Sequence, residues 1–355
     1  MAAPLLRHIL RPNTIRSAFL ALSHKNNNDV PCRYLRNSKN LPPFLKEQVK
    51  RRKLAGPEPI RHPSAFGSWN YDAELFAFGK RVGEDFDEEI LKEAFIVQSS
   101  IEKEAEERKK VGVEIQMLSS ICNEELSLEG KQIVQKYLKA YLRFNFPYMF
   151  EEGIGSICDF LMNTELLAHV GKLIGITDLI QSKYYPPTEE EMSETFLAIV
   201  AALGRSQSEE RAGVFVVDFL TPRLVGKDVN EMWKLDNPMG LLSAVLQSKG
   251  MSTPESRLLW QTGCTSIMSV YHVGIYSDKE LIGRSPGETL AIAEEQAARE
   301  ALKNLMKTDE ARPPLQPSSN VPLGSLDLDK KNPSAELLLK LYSESDTSSQ
   351  AKQTQ

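Results

Sequence analysis

Cysteine is scarce in this chain: four residues, Cys32, Cys122, Cys158 and Cys264, among 355. They are too far apart in sequence to make a metal knuckle or a CxxC pair. That fits a reducing compartment and argues against a disulfide-built secreted domain. Histidine is also sparse, with five residues and no HExxH motif or Cys/His cluster, so no zinc site is expected and no cofactor is called for. No stretch approaches the roughly twenty apolar residues of a membrane span. The N-terminal segment lacks the uninterrupted apolar core of a secretory signal, and no repeat of fixed period is present.

Acidic residues are missing where basic ones gather. Residues 1–53 hold twelve Lys and Arg against Asp29 and Glu47, a charge of +10, while the whole chain carries -5 and the remainder therefore -15. Arg7, Arg11, Arg16 and Lys25 punctuate an apolar and hydroxylated run in which Leu5, Ile9, Leu10, Ile15, Phe19 and Leu22 can share a helix side interrupted by Pro12. An acid-poor, Arg-bearing, amphipathic start of this kind reads as a mitochondrial transit peptide over 1–40, with cleavage somewhere in 17–40. A basic arm that touches RNA or an acidic surface is the alternative reading.

Three regions follow. A Lys/Arg/Pro-rich connector covers 41–68. From Trp69 to Asp236 apolar residues recur at helical spacing, in Leu75–Val82, Ile90–Ile101, Val111–Ile121, Ile133–Phe144, Ile154–Met162, Leu166–Ile174, Met192–Leu203 and Val214–Leu224. Residues 237–306 read helix, three strands, helix. The expected fold class is thus mainly α with a C-terminal α+β domain. Beyond Met306 the composition turns to Pro, Ser and Asp, which predicts a disordered tail over 307–355. Its one apolar cluster, Ala335 to Leu341, suits a short helix that docks on a partner.

Residues 151–160, Glu-Glu-Gly-Ile-Gly-Ser-Ile-Cys-Asp-Phe, resemble the signature helix of ribonuclease III, Glu-x-Leu-Glu-Phe-Leu-Gly-Asp. The outer acids fall on Glu152 and Asp159, but the middle one falls on Gly155. Leu91 to Ser99 resembles that family's opening helix in its apolar and Ser positions. Ser193 to Ala202 resembles its second acidic helix, with Glu194 at the Asp position and Leu197 in place of the last acid. The resemblance implies an all-helical domain over 69–236 in which carboxylates on facing helices hold Mg²⁺ for phosphodiester hydrolysis. On a helix, residues three and seven apart line one face, so Glu152, Gly155 and Asp159 share a side. Gly155 and Leu197 cannot ligate metal, so the catalytic positions are expected to be degenerate, with neither metal nor catalysis. The surviving acids, Glu152 and Asp159, are read as capping a helix or pairing with an Arg.

Residues 237–305 resemble a double-stranded-RNA-binding domain in the order α-β-β-β-α. Asn237-Pro238 supplies a cap and a first-turn proline. Strands are expected at Glu255–Gln261, Val270–Ser277 and Lys279–Arg284, with Tyr271, Val273 and Ile275 on one face. Gly287 to Ala298 matches the small-residue positions of that family's last helix. The lysines that grip duplex phosphates in the family fall on Leu290, Ala291 and Glu294, and the loop at 263–268 lacks the Pro-x-His element. With six Lys and Arg against seven acids over 237–305, the domain is expected to bind free duplex poorly. Leu290 at the helix start reads either as a protein contact or as tucked under the preceding loop.

Leader, impaired ribonuclease III-like domain and altered RNA-binding domain, in this order, resemble the mitochondrial large-ribosomal-subunit protein forty-four family. The stretches Trp69 to Gly79, Glu231 to Leu242 and Ser252 to Leu258 add to the likeness. It implies a structural component of the mitochondrial ribosome in the matrix, contacting ribosomal RNA and neighbouring large-subunit proteins, with a possible dimer-type contact through the helical domain. The alternative is a mitochondrial endoribonuclease acting on double-stranded RNA through Glu152, Asp159 and Glu194. For RNA contact the candidates are Lys46, Lys50, Arg51, Arg52, Lys53 and Arg61. The run Lys103, Arg108, Lys109 and Lys110 is offset by Glu102, Glu104, Glu106 and Glu107 and reads as a solvated face.

Overall fold

The computed structural model describes residues 43–56, 62–65, 67, 69–112, 122–263, 266–309, 312–321, 324 and 326–342. The transit-peptide segment, Arg61, Cys32, Cys264 and the stretch 113–121 lie outside them. The chain divides into two compact units at Arg61/His62.

In the first unit, α1 spans Pro43–Ala55 and buries no residue. The connector expected over 41–68 therefore contains a helix. Its Leu, Lys, Glu, Gln and Arg content is strongly helix-forming, and the Lys/Arg/Pro composition masked that preference.

The second unit begins with helices, each started by a readable signal. Asn70 caps α2 (Tyr71–Val82) and Asp87 caps α3 (Glu88–Ala94). Helix α4 covers Gln98–Val111, α5 Glu124–Asn145 and α6 Glu151–Leu161. Asn163 caps α7 (Thr164–Ile174), and Thr188 with Glu191 forms a capping box on α8 (Glu189–Ser206). Ser208 caps α9 (Glu209–Leu220), and α10 is the single turn Val229–Met232. The continuous helix expected over Ile90–Ile101 is instead broken. Phe95 is wholly buried, and Ile96 forms a parallel bridge with Gln181, so tertiary contacts override the local periodicity.

Helix α8 is the hub, buried at every position from Met192 to Leu203 except Glu194, and it packs on α3, α5, α7 and α9. Its closest approach is to α5. A Cβ built on Gly130 would stand 1.9 Å from the Leu197 carbonyl oxygen, so only glycine lets these backbones touch. Helix α6 packs mainly on α5 and α10.

Helix α11 (Pro238–Ser248) follows, capped by Asn237. Strands β1 (Glu255–Thr262), β2 (Val270–Ser277) and β3 (Glu280–Gly287) form an antiparallel sheet in that order. Val273 and Ile275 are fully buried on the side that carries α12 (Leu290–Met306). The final helix starts at Leu290 behind the Thr289 cap, three residues later than its sequence match, because Gly287 still pairs with Tyr271 in the sheet. No helix among the described residues is long and apolar enough to cross a membrane.

The disordered tail expected beyond Met306 is corrected over 312–321 and 326–342. Val321 and Ala335 are buried, and a helix runs over 335–342. The Tyr141 hydroxyl donates to the Gln316 carbonyl at 2.6 Å, and the Asn145 side chain accepts from the Gln316 amide. Leu315, Leu326, Leu328, Leu338 and Leu339 also pack against the core, and side chains of α5 and α6 satisfy part of the tail backbone.

Candidate functional site

The positions singled out by the signature lie on α6, with Glu152 half-buried and Asp159 exposed. Space at Gly155 is open: a Cβ added there meets nothing within 4 Å. The glycine is therefore not held by packing, and a side chain would fit.

The Glu152 carboxylate is engaged by the tail through both oxygens. It accepts from the Ser334 hydroxyl at 2.5 Å, the Ala335 amide at 2.9 Å and the Glu336 amide at 3.4 Å. Those amides are the unpaired donors at the N-terminus of the tail helix, where a carboxylate is favoured by hydrogen bonding and by the helix dipole. Burial pushes the Glu152 carboxyl upward, but the bonds from Ser334, Ala335 and Glu336 outweigh it and hold the group below its usual value. Its neighbour Glu151 takes a bidentate pair from Arg143, at 2.5 and 3.2 Å, and also accepts from the Asn332 amide. The Asn332 side chain donates to the carbonyls of Phe146 and Met149, and the Glu151 amide donates to the Pro333 carbonyl. The Asp159 side chain makes no hydrogen bond or ion pair among the described residues.

The other two positions are on α8. Leu197 is only 8% exposed and packs in the core beside Gly130. Glu194 reaches solvent, but packing around its base desolvates it, and Glu124, Glu190 and Glu191 repel its charge. All of these raise its pKa. This is the opposite of what a carboxylate beside a cation would experience, although a bound metal would supply that cation. Since α6 packs mainly on α5 and α10, α8 is not its principal facing helix. Among the described residues no group of three Asp, Glu, His or Cys side chains comes together to hold a metal ion. Cys158, one residue from Asp159, is buried with its thiol pushed up to about 11 chiefly by that burial, and so is a poor thiolate ligand. The residues present do not fit the metal that the signature calls for.

The tail contacts were missed in sequence. A signal existed: Ser334 ahead of Ala335 and a leucine run is an N-cap before an apolar stretch. Its receptor on α6, some 182 residues away, left no mark that a linear reading can detect.

Of the RNA-contact candidates, Lys46, Lys50, Arg51, Arg52 and Lys53 all lie exposed on α1. One of them, Arg51, pairs loosely with Glu47 at 3.4 Å. The run at 103–110 lies on α4, where Arg108 pairs with Glu104 and Glu106 with Lys183.

Comparison with known proteins adds to this geometry. Two family models match: large ribosomal subunit protein mL44, endonuclease domain, over residues 70–203, and the MRPL44 dsRNA-binding domain over residues 233–340. The large ribosomal subunit protein mL44 of Caenorhabditis elegans is 34% identical over 269 residues, 74% of this chain and 66% of that protein. The chain thus spans just under two thirds of that relative's length. Ribonuclease 3 of Enterococcus faecalis is 25% identical over 190 residues, 52% of this chain and 80% of that enzyme. The solved nuclease domain of ribonuclease III from Campylobacter jejuni is 16% identical, with a TM-score of 0.35, covering 42% of this chain and 96% of that domain. Two mL44 domain matches in succession, joined by a relative across most of its length, place the sequence: this chain belongs to the mL44 family of large ribosomal subunit proteins.

Proposed function

We propose that this chain is a structural component of the large subunit of the mitochondrial ribosome. It works in the mitochondrial matrix, contacts ribosomal RNA and neighbouring proteins, and supports assembly and stability of the subunit without cleaving RNA. The observation that carries this reading is the engagement of Glu152 by the tail helix, at a position where a nuclease of this fold would keep a carboxylate for its metal site. Gly155 and Leu197 support it, since neither offers a donor to a divalent ion. The five exposed cations of α1, of which Arg51 is loosely paired with Glu47, suit an RNA surface, because exposed cations can neutralise phosphates.

The test is twofold. Tagged full-length protein is expected to co-sediment with the large mitochondrial subunit, and recovery mainly in free, low-mass fractions would defeat the reading. Purified protein is expected to leave duplex RNA intact in Mg²⁺ or Mn²⁺. Cleavage that disappears in Asp159→Asn and is absent from a mock purification would establish the endoribonuclease alternative.

A further inference from the structure

The surface where a double-stranded-RNA-binding domain would grip phosphates carries apolar side chains instead. Residues 266–269, ahead of β2, are held in place by hydrogen bonds to Gly263 and among themselves. Gly263 is left-handed at φ 68°, the amide and hydroxyl of Ser266 both donate to its carbonyl at 2.9 and 2.8 Å, and the Met268 amide donates to Ser266 Oγ at 3.3 Å. This turn holds Ile267 and Met268 outward, 102% and 83% exposed. The Ser269 hydroxyl donates to the Glu288 carbonyl at 3.1 Å, which ties the loop to the start of α12, where Leu290 and Ile292 are also exposed. Leu290 is therefore not tucked beneath the loop.

Charge selects the kind of partner. No Lys or Arg occurs in 258–277 or in 285–298, while the second stretch carries the exposed Glu288, with Glu294 accepting from the Ser256 hydroxyl at 3.0 Å and Glu295 paired with Arg299 at 2.6 Å. A phosphate backbone laid against the turn would meet the exposed Glu288 carboxylate and no Lys or Arg of these two stretches, and would leave the apolar side chains against a charged polymer. A polypeptide with an apolar anchor flanked by Lys or Arg would bury Ile267, Met268, Leu290 and Ile292 and face Glu288 with opposite charge.

We infer that residues 266–269 and the start of α12 form a docking surface for a basic segment of a neighbouring protein, anchored by apolar side chains. This rests on the reading of the chain as a ribosomal component, since proteins embedded in RNA carry basic segments.

The experiment places a photo-crosslinking amino acid at Met268 of the full-length chain and irradiates purified large subunits. The expected product is a crosslink to a polypeptide segment with Lys or Arg beside an apolar residue. It should be reduced at least five-fold by Glu288→Lys with Ile267→Asp, and retained with Ile267→Leu. Crosslinks to ribosomal RNA or to a second copy of this chain, or none at all in a chain that co-sediments, would overturn the inference and leave the ribosomal role standing. A chain absent from the subunit would overturn both. Circular dichroism on the variants separates lost docking from lost folding, and both substituted residues are solvent-facing.

Discussion

Glu152 holds Ser334: the hydroxyl donates to the carboxylate at 2.5 Å across 182 residues of sequence, and the Ala335 amide follows at 2.9 Å. An acid at a nuclease-signature position thus closes the N-terminus of a helix formed far downstream. Capping of this sort needs the same property as metal binding, a carboxylate presented from a rigid helix, so a carboxylate is favoured at this position without any metal.

Removing the hydroxyl should loosen the tail without unfolding the body. Ser334 both donates to Glu152 and accepts from the Leu337 amide at 3.4 Å as a cap. Ser334→Ala should destabilise the tail helix by about 1 kcal/mol, which speeds amide exchange over 335–342 roughly five-fold. Exchange in α8 should stay at its wild-type rate. Equal acceleration in both would mean that the tail and the helical core open together.

Acidity should release the tail by the same route. The Glu152 carboxyl is raised by burial and lowered more by its bonds from Ser334, Ala335 and Glu336, so its folded pKa lies below the ordinary value. A depressed carboxyl contributes stability that is complete above the unfolded pKa, near 4.5, and is lost as pH falls through the lower folded value. Protection over 335–342, corrected for intrinsic exchange, should therefore be flat above about pH 5 and fall below it. In Glu152→Gln the protection should be weaker at neutral pH and should lose that dependence. An unchanged acid profile in Glu152→Gln would assign the transition to another group.

Much of the fold was legible because its signals are local. Asn237-Pro238 opens α11 as a cap and first-turn proline, and the alternation of Val273 and Ile275 correctly marks the buried face of β2. The break at Phe95 to Val97 was not, since it depends on Gln181, whose amide donates to the Phe95 carbonyl at 3.0 Å. The tail failed for the same reason: Pro, Ser and Asp composition says little when Arg143, Glu151 and Glu152 supply the partners. At the signature the residue types were readable, but the meaning of Glu152 depended on a contact that no motif encodes.

The two lost acids should differ sharply on restoration. Gly155 has open space for a side chain, so Gly155→Glu should fold normally. The gain in helix propensity is partly offset by Glu152 and Asp159, leaving stability within about 0.5 kcal/mol of wild type. Leu197 is packed in the core, so Leu197→Glu buries a carboxylate without a partner and should destabilise by on the order of 3 kcal/mol. Denaturant midpoints of the two single variants test the contrast. Similar midpoints would mean that α8 can turn its Leu197 face to water.

Restoring cations should restore duplex binding if their loss is what removed it. Leu290 and Ala291 are exposed in the first turn of α12, and Glu294 is half-buried one turn on, where it accepts from the Ser256 hydroxyl at 3.0 Å. The triple variant Leu290→Lys, Ala291→Lys and Glu294→Lys adds four positive charges at a helix start whose amides already favour anions. Three new phosphate contacts should steepen the dependence of log K on log salt by up to about 3. At about 0.1 M salt, affinity for a duplex of about 16 base pairs should rise by on the order of ten-fold. Filter binding across a salt series measures both. A rise in affinity with no change in salt slope would mean that the added side chains act other than through phosphates. No rise at all would mean that the apolar loop at Ile267 and Met268 by itself keeps the duplex away.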